Sequence, residues 1–320
     1  PNDLPVNTRH LDTTFVNLTM TDKVFLSMSI GEGRVCDATR LTAIARGLTM
    51  DELATSPTAI TNININSPRK FDVEMAAAAM AMAEMGQATV ITPFTLMGAM
   101  TPVTLAGALT QQNAEALFGI ALTQLVRPGA PVVYGGFTSN VDMKTGAPAF
   151  GTPEYVRAMQ MSGQMARRYG LPWRASNANA CNAPDAQAVW ESAFSLQGSC
   201  SGHANMIYHA AGWMEGGLSA SFEKFIIDCE MLQQIVTIAA RTGAWVLMDE
   251  VYAGLEWDHP RMPAIAGLYD RGISTGSVSK AFGMQGLRLG WMICRDAALI
   301  QDALVLREYS SQISNHLGEA

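Results

Sequence analysis

The chain has 320 residues, 48% of them hydrophobic and only 15% charged, which is long enough for a large core in one α/β barrel or two domains and too apolar for disorder. A formal net charge of −7, with 21 basic residues dispersed along the chain, argues against nucleic acid or an anionic membrane surface as a partner, and no unbroken apolar run of about eighteen residues offers a membrane span. Small-molecule chemistry in a cytoplasmic setting is the expectation.

The N-terminal stretch PNDLPVNTRH has no basic-then-apolar signal and no initiator Met, so the chain is expected to start inside a longer reading frame. From about residue 23 short β-type runs alternate with longer helical ones, a βα rhythm. The predicted strands are Lys23–Ser29, Ala59–Asn64, Gln87–Ile91, Val132–Gly135, Leu171–Asn177 and Asn205–Tyr208, each apolar in the manner of parallel strands covered on both faces. Between them helices are predicted at Val73–Met85, Val103–Leu125, Thr152 to Gly170, Asp185–Leu196 and Ser221–Arg241, several opened by a capping side chain or closed by glycine. Met75, Met80, Met82 and Met85 are expected to fill core space. Five cysteines, Cys36, Cys181, Cys200, Cys229 and Cys294, are odd in number and form no C-x-x-C pair, which fits a reducing compartment without a disulfide framework or a structural metal.

Strand ends are rich in small polar groups, and in a (β/α) barrel residues at the carboxyl ends of strands build the active site. Thr92, Tyr134, Asn177 and His209 are therefore expected to line one end of the sheet. The plainer reading is that Asn and Thr terminate strands, and that a lone His is a hydrogen-bonded structural residue.

Several segments carry a resemblance: GAMTPVTLAGAL (Gly98–Leu109), NAEALFGIALTQLVRPGAPVVYGG (Asn113–Gly136), DMKTGAPAFGTPEY (Asp142–Tyr155), ARRYGLPWR (Ala166–Arg174), PDAQAVWES (Pro184–Ser192) and FIIDCEM (Phe225–Met231). Through them residues 1–235 resemble the trimethylamine methyltransferase family of corrinoid-dependent enzymes. The resemblance implies a TIM-type (β/α) barrel, a methylated amine as substrate and a separate corrinoid protein as methyl acceptor. Trimethylamine-specific members carry pyrrolysine, absent here, so a quaternary amine such as a betaine is the implied substrate class. Six βα units do not close an eight-stranded barrel, so the expected fold is α/β with a partial barrel. An amine cation needs aromatic faces, acceptors and an open path for in-line attack at a methyl carbon. Tyr134, Tyr208, Asn177, Asn179, Asp185, Gln187 and Thr92 are the candidates for substrate binding, with His209 as candidate acid or base.

From about residue 236 a second resemblance takes over, carried by IAARTGAWVLMDEVYAGLEW (Ile238–Trp257) and STGSVSKAFGMQGLRLGW (Ser274–Trp291). These segments look like fold-type I pyridoxal-phosphate (PLP) aminotransferases. The resemblance implies Lys280 as the Schiff-base lysine, Asp249 as partner of the pyridine nitrogen, Tyr252 on the ring oxygen, and Ser277, Ser279 and Arg288 on the phosphate. Strands are expected at Trp245–Asp249, Gly272–Gly276 and Leu289–Cys294, side by side in one sheet. The two resemblances meet inside one predicted helix, without a linker. Three readings stand together: an amine methyltransferase, a PLP-dependent aminotransferase acting through Lys280, and a non-catalytic hybrid; homo-oligomerisation stays open.

Overall fold

Helix starts in this chain are set by side chains that accept the first free backbone N–H groups. A computed structural model describes residues 4–20, 26–27, 30–249, 264–277 and 290–310. In it Asp72 accepts from Met75, Thr104 from Gly107, Thr152 from Tyr155, and Asp185 from both Gln187 and Ala188. The chain divides into two compact units, Leu26–Met231 and the pair of segments Pro1–Phe25 and Leu232–Ala320.

In Leu26–Met231 an eight-stranded sheet is built from β1 (Leu26–Ser27), β2 (Ile60–Asn66), β3 (Ala88–Met97), β4 (Val132–Gly135), β5 (Phe137–Val141), β6 (Pro148–Ala149), β7 (Trp173–Ser176) and β8 (Met206–Tyr208). Its main path runs β1-β2-β3-β4-β7-β8, and every neighbouring pair on that path is parallel. The connecting helices include α2 (Glu32–Arg46), α3 (Met50–Leu53), α4 (Val73–Glu84), α5 (Leu105–Val126), α6 (Pro153–Arg168) and α7 (Ala186–Ser201). Strand order follows chain order, as consecutive βα units require. A closed barrel is not shown: among the described residues β1 and β8 are at opposite ends of the sheet's main path.

Helices α1 (Arg9–Met20), α2 and α3 were not among the predicted elements, and two features of the sheet depart from the predicted strands. β3 runs to Met97 rather than stopping at Ile91, because it changes partner around Pro93: it pairs with β4 through Ile91 and with β5 from Phe94 onward. Proline has no N–H to donate at the handover. The second is a short antiparallel pair, β5 with β6, in a segment where no strand was expected.

The main hydrophobic core of this unit runs from Val35 and Ile63 through Met82, Ile91 and Tyr134 to Trp173 and Ala178, with Met75 and Met85 packed against it, and Cys181, Ala188 and Met214 form a smaller cluster. Met80 is the exception among the expected core methionines, at 38% exposed. A hairpin of β9 (Trp213–Met214) and β10 (Ser219–Ala220) follows β8, and α8 (Phe222–Thr242) continues into the next unit.

There, besides α1 (Arg9–Met20), β11 (Val246–Asp249) pairs parallel with β12 (Gly272–Ser277), which pairs antiparallel with β13 (Gly290–Cys294). The three expected strands are thus neighbours in one sheet. Short α9 (Ile265–Leu268) and α10 (Ala297–Ser310) accompany them, and among the described residues a small core forms around Ile265 and Tyr269. Among the described residues no helix is long and apolar enough to cross a membrane.

Candidate functional site

Side chains alternate between the two faces of a strand, and glycine contacts identify which face meets the helices. Ile91 of β3 and Ile65 of β2 press on Gly119 of α5, and Trp173 of β7 presses on Gly163 of α6 and Gly202. Tyr134 belongs to that helix side: it is fully buried, and its hydroxyl donates to Asn113 Oδ1 of α5 at 3.1 Å. Burial pushes its phenol up to about 12. The expectation that Tyr134 lines one site with Thr92, Asn177 and His209 is therefore corrected. A residue at a strand's carboxyl end points up to the mouth only on one phase of the alternation, and Tyr134 is on the other. Thr92, one residue past Ile91, is on the opposite face and donates to Asn62 Oδ1 at 2.9 Å.

That opposite face carries the cluster. Arg174 follows Trp173 and so points away from the helices; it is in register with Gly135 and Met206, and Ser176 with Tyr208. The Arg174 guanidinium carbon lies over the Tyr208 ring, 4.4 Å from its centroid, and over the Phe137 ring at 5.2 Å. Phe137 in turn lies against Phe94, Phe150, Tyr155, His209 and Trp213. His209 stacks on Trp213 with ring centroids 4.6 Å apart, and its Nδ1 is 3.2 Å from Ser176 Oγ.

Three polar groups here lack partners among the described residues. Arg174 is 2% exposed, yet its Nε and Nη1 find no acceptor; the Tyr208 hydroxyl and Asn177 Oδ1 are likewise buried and unmatched. Asn177 uses its amide to donate to the Ala210 carbonyl at 3.0 Å. Burial lowers Arg174 to about 10, so it remains charged at neutral pH. Burial, and then the Arg174 charge, drives His209 down to about 3. The His209 ring is thus neutral at ordinary pH, a hydrogen-bonding and stacking group.

The remaining candidates are held elsewhere. Asp185 is exposed and caps α7. Gln187 donates to Glu191 Oε1, while Glu191 Oε2 accepts from the Ala180 and Cys181 N–H groups at 2.7 and 2.8 Å. Asn179 is buried, with Oδ1 3.1 Å from Ser192 Oγ. These groups tie down the loop after β7, which also accepts from Glu215 and Gly216 through the Cys181 and Asn179 carbonyls. The structure brings Tyr208 and His209 together with Arg174, ties Asn177 to the Ala210 carbonyl beside them, and leaves Asn179, Asp185 and Gln187 in the surrounding scaffold.

Arg174, Phe137, Phe150 and Trp213 were not foreseen as site residues. A signal did exist for Arg174, a lone charge inside the apolar strand Trp173–Ser176. For the aromatics there was none, since their convergence depends on strand pairing.

In the other unit Asp249 pairs with Thr275 in the parallel β11–β12 ladder, and Ser277 lies two residues further along β12, 2% exposed. Two of the cofactor candidates therefore stand at the carboxyl ends of adjacent strands. Tyr252, Ser279, Lys280 and Arg288 lie outside the described residues.

Comparison with known proteins gives two family matches: Trimethylamine methyltransferase (MTTB) over residues 1–252 and Aminotransferase class I and II over residues 225–320. A glycine betaine methyltransferase from Desulfitobacterium hafniense is 37% identical over 232 residues, which is 72% of this chain and 48% of that protein. A proline betaine:corrinoid methyltransferase from Eubacterium limosum is 34% identical over 67% of this chain and 43% of its own length. Trimethylamine methyltransferase MttB of Methanosarcina thermophila is 33% identical over 53% of this chain and 35% of its own length. The chain spans about half the length, or less, of these curated relatives. Among solved structures, a PLP-dependent aminotransferase from Streptococcus suis overlaps 73% of this chain and 43% of its own at 16% identity, with a TM-score of 0.25, too low to support a statement about fold.

Proposed function

The chain belongs to the trimethylamine methyltransferase family, and on that premise we propose that residues 1–235 form the amine-binding part of a corrinoid-dependent methyltransferase, which passes a methyl group from a methylated amine to a separate corrinoid protein. The observation that carries this reading is the aromatic cluster of Phe137, Tyr208, His209 and Trp213 where β7 and β8 end. Aromatic faces attract alkylammonium groups while leaving the methyl carbons unbonded and open to attack.

The corrinoid of the partner protein would supply the nucleophile that takes the methyl group. From a quaternary ammonium the tertiary amine departs with the bonding pair and needs no proton. A neutral His209, held by Ser176 and stacked on Trp213, suits that chemistry better than a general acid would. The role of this chain's residues is then to orient the ammonium and to exclude water, with the loop after β7 fixed by Glu191.

The test is methyl transfer itself. The purified chain, incubated with a Co(I) corrinoid protein and a methylated amine, is expected to give the methyl–cobalt absorbance and the demethylated amine. No turnover with tertiary or quaternary amines would overturn the reading. A second reading, favoured by the Aminotransferase class I and II match and by Asp249 and Ser277 on adjacent strands, is that residues 236–320 hold PLP through Lys280. Borohydride reduction after incubation with PLP, followed by peptide mapping, is then expected to find the label on Lys280.

A further inference from the structure

We infer that β8 and the outward face of α8 form a docking surface for a second polypeptide, one that carries βα units of the methyltransferase family which this chain does not match. The inference rests on the family membership and on the exposed surface, and on no step of the methyl transfer proposed above.

The first two turns of α8 are inside out. A helix turns by about 100° per residue, so Lys224 and Asp228 share one side and Phe222 and Ile226 take the opposite one. The ionic pair is the buried side, at 0% exposed. Phe222 is 89% and Ile226 62% exposed, with Phe225 on the flank at 48% and Leu218 just before the helix at 85%. A helix on the outside of a finished unit carries the reverse pattern, and an apolar face of this kind marks contact with other protein.

The neighbouring strand is unfinished in the same way. Among the described residues β8 ends the main path of the sheet and pairs with β7 alone. Its Met206, Ile207 and Tyr208 are partly exposed, where all four residues of β7 are buried. In consecutive βα units the strand after α8 returns beside β8. In this chain that strand is β11, which pairs with β12 in a separate sheet, and from residue 253 onward only the aminotransferase family matches. Among the described residues the place beside β8 is therefore open to a strand from another chain.

The relatives indicate what fits there. The match to the D. hafniense protein covers 48% of its length and the match to the E. limosum protein 43%, so more than half of each lies outside its match to this chain. A second copy of this chain fits less well. Glu223 and Glu230 are exposed on the edge of the apolar face, and two copies laid face to face would bring these like charges together.

Co-expression tests this, with the affinity-tagged full chain and, as a separate polypeptide, the stretch of the D. hafniense glycine betaine methyltransferase that follows its matched region. Light scattering on the purified material is expected to show a one-to-one complex, and amide exchange at 206–208 and 222–226 is expected to be roughly tenfold slower than in the chain alone. Phe222→Glu and Ile226→Glu are each expected to weaken the complex about 10–100-fold, because a charge is then buried unpaired. Both are expected to leave the melting temperature of the chain alone unchanged, since both side chains are exposed in it. No complex, a complex that survives both substitutions, or protection confined to other segments would overturn the inference. Self-association of the chain alone that the substitutions abolish would also overturn it, by making the occupant a second copy. A lower melting temperature of the variants alone would do so too, by showing that the chain's own residues cover the face. A complex without methyl transfer sinks only the enzymatic reading, whereas methyl transfer by the chain without a complex sinks only the docking surface.

Discussion

His209 sits in the left-handed region at φ 54°, immediately after β8, and that unusual backbone turns its ring onto Trp213 and toward Ser176. The ring's proton affinity then follows from its surroundings, because burial and the Arg174 charge both disfavour the imidazolium. A histidine with a lowered native pKa takes up protons first in the unfolded chain. Its contribution to stability is therefore complete above the unfolded value of about 6.5 and is lost as pH falls toward about 3. Replacing it by Gln is expected to flatten the decline of unfolding free energy between those limits, by up to about 1.4 kcal/mol per pH unit where only the unfolded state is protonated. Urea titrations of both proteins at a series of pH values measure this, and parallel declines would refute it. His209 was legible in the sequence because it follows a strand, but its neutral state was not: that comes from its burial and then from the charge of Arg174 on the neighbouring β7.

At the scale of elements, α7 and α8 are joined by a buried polar knot. Lys224 and Asp228 are one helical turn apart on α8 and fully buried. Lys224 Nζ donates to Asp228 at 2.6 Å and to Ser192 Oγ of α7 at 2.7 Å, and Asp228 Oδ2 accepts the Gly212 N–H at 2.9 Å. Removing one charge strands the other, so Asp228→Ala is expected to destabilise the unit by about 3–5 kcal/mol. The paired replacement Lys224→Met with Asp228→Leu is expected to recover most of that loss. Chemical denaturation of the three proteins gives the coupling; additive losses would show that the pair does not act as a unit. The helix boundaries themselves were readable, since caps such as Asp72, Thr152 and Asp185 are local. The knot was not, because Ser192 and Lys224 are 32 residues apart and meet only when α8 folds back on α7.

At the scale of the molecule, the described residues of the two units differ in how much they bury. The main core of residues 26–231 spans most of its sheet and helices, whereas among the described residues the core at β11–β13 is Ile265 and Tyr269 with Val246 against them, and Leu247 is 66% and Ile293 49% exposed. Opening free energy scales with buried apolar contact. Hydrogen exchange is accordingly expected to be faster in β11, β12 and β13 than in β2, β3 and β7. Equal protection in the two sheets would show that this difference in burial does not govern opening.

Much of this architecture was determined by the sequence by itself. Apolar runs separated by capped helices specify parallel βα units in chain order, and motif segments are dense enough to identify a family. Both are local patterns, written within a few residues of one another. Whether the sheet closes, which phase of each strand faces the helices, and where charges end up buried were decided only by tertiary structure. Tyr134 and Arg174 make the contrast plain: both lie in short apolar strands, and alternation sends the first under α5 and the second among Phe137 and Tyr208. A strand's residues carry a period of two, but its absolute phase is set by what packs on it, and that information belongs to the neighbours rather than to the strand.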